Sequence, residues 1–201
     1  MTTFLFIAFA SVFWLSGSAS AQEQKPPAPP KTELAGINSY AQAIEQFTKR
    51  NPKRKRFFGN EAGAEDKQDN WREFKDLKEF EQVALDEKAY VWRQEGRVVA
   101  AKFAFTSSSG DWFHYVTYYY RADGTLAKIH AQLNTFYSSP GGVSVVRDKF
   151  YGSNGKLLHT STRYLDLQSQ RPRKRGDFMD EPIPVYKTAR ALPFAKLLPA
   201  V

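Results

Sequence analysis

The side chains with chemistry to offer are concentrated between Lys88 and Leu167. All three histidines of the chain lie there: His114, His130 and His159. With them come the cations Lys102, Lys128, Arg147, Lys149 and Arg163 and the aromatics Trp92, Trp112, Tyr118, Tyr120 and Tyr151. Aromatic faces interleaved with Lys and Arg bind anionic polymers or glycans, by stacking and by charge. Acidic residues are nearly missing from the set, so these residues form the candidate binding surface for an anionic or glycan ligand.

Other chemistries find less support. His114 and His130 come out as diagonal neighbours on paired strands, near enough to share an ion. His159 belongs to another hairpin, no carboxylate is placed on their face and the chain has no Cys. No metal site and no cofactor is therefore expected. The sequence holds no G-x-S-x-G elbow, H-E-x-x-H pair, P-loop or G-x-G-x-x-G turn. Glu79 and Glu81, two apart in a helical pattern, fall on different sides and read as surface charges. No catalytic residue is assigned, and the chain reads as a non-catalytic binding module.

The elements that must position these groups announce themselves through a turn written three times. Trp92–Val98, Tyr120–Leu126 and Tyr151–Leu157 each run aromatic, three residues, Gly, one residue, aliphatic. Glu-Gly, Asp-Gly and Asn-Gly at their centres suit hairpin turns, because Gly accepts positive φ without steric cost. Alternating aromatic and β-branched residues flank each turn, as half-buried strands require. Three consecutive hairpins follow, a six-stranded antiparallel meander over about 88–167. If each turn is a type I turn with a glycine bulge, the aromatic pairs with the aliphatic residue six later, and parity sorts the rest. Val91, Ala101, Phe103, Tyr115, Tyr119, Ile129, Leu133 and Phe150 then face the core. The thirteen candidate residues face the other way.

Before the meander, Ile37, Tyr40, Ala41, Ile44 and Phe47 recur at helical spacing, predicting a helix over about 38–50 that Pro52 stops. Trp71, Phe74, Leu77, Phe80 and Ala84 predict a second helix over about 71–85, with Asn70 as its N-cap. Gly59–Asp69 is a polar connection. Basic clusters at Lys49–Arg56 and Arg171–Arg175 read as solvated loops. Residues 168–201, rich in Pro, form an irregular C-terminal cover. The fold class is thus α+β: two N-terminal amphipathic helices on a six-stranded meander, curling toward a half-barrel, in a single domain over 37–201.

The turns at Tyr120 and Tyr151 resemble the hairpin repeats of the MORN-type and RHS/YD families over two short stretches, which implies meandering β-structure and no activity. The order helix, helix, meander and terminal segment resembles helix-grip and lipocalin-like carriers, although the long C-terminal helix of the former has no counterpart. That resemblance implies the alternative function, a periplasmic carrier of a small hydrophobic ligand held between sheet and helices.

Phe4–Leu15 is an apolar run followed by Ala19-Ser20-Ala21, the small-x-small pattern of a cleavage site. Residues 1–21 read as a signal peptide and 22–36 as a Pro-rich linker, so the protein is expected to be exported, to the periplasm or beyond. Without Cys it has no disulfides and no disulfide-linked partner. A formal charge of +8 favours anionic partners, such as an acidic polymer or an envelope surface. Intact-mass measurement of the exported protein should give a chain beginning at Gln22, and a product retaining Met1–Ala21 would sink the leader assignment.

Overall fold

The computed structural model describes residues 31–61, 70–107, 109–136, 141–178 and 180–199. The expected leader, residues 22–30 of the linker, most of the polar connection and parts of the loop tips near 108 and 138 lie outside them. Helix α1 spans Lys31–Arg50, so Lys31–Gly36, assigned above to the linker, belongs to the helix. Strands β1 (Lys55–Asn60) and β2 (Trp71–Phe74) and a short helix α2 (Leu77–Gln82) follow. Then come β3 (Glu87–Gln94), β4 (Arg97–Thr106), β5 (Trp112–Tyr120), β6 (Leu126–Thr135), β7 (Val143–Tyr151) and β8 (Leu157–Asp166).

These strands make one antiparallel sheet of eight, in the order β2-β1-β3-β4-β5-β6-β7-β8. The meander is present in β3 to β8, but the six-strand, two-helix expectation is corrected on both counts. The sheet is wider by two strands, and among the described residues only α1 is a long helix. It is also open, with β2 and β8 as its edges. No helix among the described residues is long and apolar enough to cross a membrane.

Where the spacing predicts the second helix, Trp71–Phe74 is strand β2, and the reason is definable. Trp71 and Phe74 are three apart, which puts them on one face of a helix but on opposite faces of a strand. In β2, Trp71 reaches the rings of Phe103 and Phe194, while Phe74 meets Phe80 on the other side. Both faces are apolar at this edge, so the helical periodicity was accidental. Strand β1 was hidden by its charge. Lys55 and Arg56 open it, and only Phe57 and Phe58 carry apolar side chains.

The hairpins hold the larger surprise. The first turns through Glu95 (φ 51°) and Gly96 (φ 80°), a two-residue turn with positive φ at both positions. The second and third are type I turns closed by Gly124 (φ 81°) and Gly155 (φ 71°), with Tyr120 opposite Leu126 and Tyr151 opposite Leu157. One residue further on, each returning strand carries an extra residue. Val99 is unpaired between Arg93↔Val98 and Trp92↔Ala100. Ala127 is unpaired between Tyr120↔Leu126 and Tyr119↔Lys128, and Leu158 between Tyr151↔Leu157 and Phe150↔His159. A bulge reverses the parity of everything beyond it. That is why alternation alone puts the side chains of β5 and β7 on the wrong faces, while Val91, Ala101, Phe103, Ile129 and Leu133 do face the core.

The true core lies on the face that holds Phe58, Val91, Ala101, Phe103, Val116, Tyr118, Tyr120, Ile129 and Tyr151. The C-terminal segment covers it. Leu192 and Phe194 are buried there, and Phe194 stacks on Phe58 with ring centroids 4.4 Å apart. The Tyr118 hydroxyl donates to the Pro184 carbonyl at 2.8 Å and that of Tyr120 to the Tyr186 carbonyl at 3.2 Å. Helix α1 lies on the opposite face, its Ile37, Ala41 and Ile44 packed over Trp92, Val99, Tyr119, Ala127 and Phe150.

This assignment separates two tyrosines of one strand. Tyr118 is fully buried and Tyr115 is 48% exposed. Tyr118→Ala should destabilise by about 3–5 kcal/mol and Tyr115→Ala by less than about 1 kcal/mol, read from urea unfolding. Equal losses would mean the faces are misassigned.

Candidate functional site

The thirteen candidate residues divide between the two faces. Trp112, His114, Tyr118, Tyr120, Arg147, Lys149 and Tyr151 are on the C-terminal-segment side, and Trp92, Lys102, Lys128, His130, His159 and Arg163 are on the α1 side. They cannot form one surface. Tyr118, Tyr120 and Tyr151 are core residues, and Trp112 is packed with Leu133 and Val145. His114 is buried; burial holds its imidazole at about 4, helped by the Arg147 charge, so it stays neutral at ordinary pH. Arg147 makes a two-pronged ion pair with Asp180 at 2.7 Å. Lys149 stands beside Ile129 and Thr160. Trp92 is buried under α1, its indole donating to the Asn51 carbonyl at 3.2 Å. His159 and Arg163 are exposed on the edge strand β8.

Three candidates do converge. Lys102, Thr117, His130 and Asp148 are directly opposed across β4 to β7, and the adjoining row runs Ala100, Tyr119, Lys128, Phe150. Only the bulges put these two rows on the α1 side. Between them and α1 lies a cleft of about 330 Å³, lined by Asn38, Gln42 and Glu45 from the helix and Lys102, Thr117, Tyr119, Lys128 and His130 from the sheet.

Its charges are matched in place. The Glu45 carboxylate accepts from Lys102 Nζ at 3.0 Å and from the Tyr119 hydroxyl at 3.2 Å. Asp148 meets Lys128 Nζ at 2.9 Å and His130 Nδ1 at 2.9 Å, and Lys128 also donates to Asn38 Oδ1 at 2.9 Å. Burial alone raises the Asp148 pKa, but the hydrogen bonds from His130 and Lys128 more than offset it and hold the carboxyl at about 2. Burial pushes the Tyr119 hydroxyl up, and the neighbouring Glu45 carboxylate reinforces this. Among the described residues no group of three or more His, Cys, Asp or Glu is arranged to hold a metal ion.

The cleft opens along the half of this face that α1 leaves bare. There Tyr115, expected in the core, is 48% exposed, and Phe113 on the same face is 37% exposed. Beside them Gln132 Nε2 donates to Asn134 Oδ1 at 3.1 Å and Ser144 Oγ at 3.0 Å. Neither Glu45 nor Asp148 stands out in the sequence pattern. Asp148 sits between Arg147 and Lys149, and parity assigned those cations to the face that the acid in fact occupies. Glu45 adjoins the buried Ile44 at the margin of the apolar stripe, a position that spacing alone leaves ambiguous.

Comparison with known proteins finds no matching family, no matching curated protein and no matching solved structure.

The Asp148 carboxyl is depressed on folding, so its contribution is fully present above the unfolded value near 4 and is lost as pH falls toward about 2. Asp148→Asn should cost about 2 kcal/mol at neutral pH and flatten that part of the acid unfolding curve. Parallel curves for both proteins would show that the pairing adds no stability.

Proposed function

We propose that this is an exported, non-catalytic module that binds a neutral glycan unit across the α1 cleft and the bare aromatic surface beside it. The observation that carries the reading is the local charge balance: Glu45 against Lys102, and Asp148 against Lys128 and His130, at 2.9–3.0 Å. A polyanion gains little where each cation already faces a carboxylate. A sugar hydroxyl both donates and accepts, so it can bridge a carboxylate and an ammonium at once. Sugar rings also present a C–H face that packs on exposed aromatic rings, as Tyr115 and Phe113 offer, with the Gln132 and Asn134 amides within the same surface. Concave sites with a few convergent polar groups are the usual form of small-ligand sites. The polar lining argues against a hydrophobic cargo between helix and sheet.

Titration of the labelled protein with cellobiose, chitobiose and maltose, read by amide chemical shifts, tests this. At least one should shift residues around Tyr115, Lys102 and His130, and Tyr115→Ala should weaken it about tenfold, the loss of roughly 1.4 kcal/mol of stacking. No shift with any of the three, beside shifts of the same residues with heparin, would overturn the glycan reading in favour of a polyanion.

A further inference from the structure

A second concavity, of about 450 Å³, lies at the end of the sheet where the first two hairpins turn. Its walls are fixed on both sides. Ala189 N donates to the Gly124 carbonyl at 2.9 Å and Leu126 N to the Lys187 carbonyl at 2.9 Å, which ties the C-terminal segment to the second turn. The Arg93 guanidinium bonds the Gly96 carbonyl and, at 3.3 Å, the Pro199 carbonyl, which ties the same segment to the first. The floor is apolar, formed by Val98, a member of the core cluster, and Leu198, which packs against it.

The rim is the reverse of the α1 cleft. Arg97, Arg190 and Lys196 line it, are exposed, and make no ion pair among the described residues. The one acid in the lining, Asp123, is already held by Thr125 N at 2.8 Å and Thr125 Oγ1 at 2.7 Å. Three cations gathered over an apolar floor select a ligand that is anionic at one end and hydrocarbon at the other. We propose that this groove binds a single-chain anionic amphiphile in monomeric form, its carboxylate or phosphate head on Arg97, Arg190 and Lys196 and its chain against Val98 and Leu198. Head and tail are both required: charge steers and orients, while the floor supplies the affinity that surface ion pairs lack.

The test is calorimetric titration at low salt with octanoate, octyl phosphate, inorganic phosphate and octyl glucoside, and with vesicles of an anionic phospholipid. Octanoate and octyl phosphate should bind, each about tenfold or more tighter than inorganic phosphate or octyl glucoside. The pair Arg97→Glu with Lys196→Glu should weaken both by about tenfold or more, and the milder Arg190→Gln should weaken them in the same direction. Arg171→Glu with Lys174→Glu, at the far end of the sheet, should change nothing, and amide spectra check that every variant folds. Inorganic phosphate binding as tightly as octyl phosphate would reduce the groove to a plain anion patch. Binding to vesicles without binding to monomers would make it a membrane contact. Affinity unchanged by charge reversal, or no binding at all, would equally overturn the proposal.

Discussion

One extra residue per hairpin governs this molecule. Val99, Ala127 and Leu158 each follow a turn by the same interval, and each reverses the facing of the strand beyond it. Val99 and Ala127 are buried and Leu158 is half-buried, and all three fall in the clusters beneath α1. The bulges therefore form a line of small and aliphatic residues across the strands, and the helix rests along it. Because bulges also increase local twist, the feature that aims the side chains is the one that shapes the surface α1 covers.

The arrangement of α1 follows from that line. Its apolar residues from Leu34 to Phe47 pack on the bulge-bearing ends of the strands. The polar residues on its flank, Asn38 and Glu45, meet Lys128, Lys102 and Tyr119. Buried polar groups are tolerated only when partnered, and here each partner is supplied by a strand whose facing a bulge has set. Removing one bulge would turn Lys128 and His130 toward the C-terminal segment, leaving Asn38 without its lysine. Helix packing and cleft chemistry are consequences of one register.

Much of the meander was legible because hairpin turns write themselves locally, in glycines that need positive φ and in the alternation around them. The bulges were not, because an extra Val, Ala or Leu in a run of apolar residues leaves no mark in composition. That one omission moved Tyr118, Tyr120 and Tyr151 from the core to an imagined binding face and moved Asp148 off the real one. Strands β1 and β2 were illegible for the opposite reason: their charged residues and chance spacing resembled a loop and a helix. Of the proposed site, Lys102, Lys128 and His130 were recognised by type, whereas Glu45 and Asp148 required the three-dimensional pairing.

Net charge says little about where an anion would bind, and this chain shows why. Three sheet cations are met by carboxylates from three directions: Lys102 by Glu45 on α1, Lys128 by Asp148 on the neighbouring strand β7, and Arg147 by Asp180 in the C-terminal segment. Around the turns, Arg97, Arg190 and Lys196 are exposed and make no ion pair among the described residues. A surface that looks basic by residue type is neutral by pairing, and a groove assembled from ordinary turn residues is the basic one. Ligand class follows the local balance of charge, which only register and packing determine.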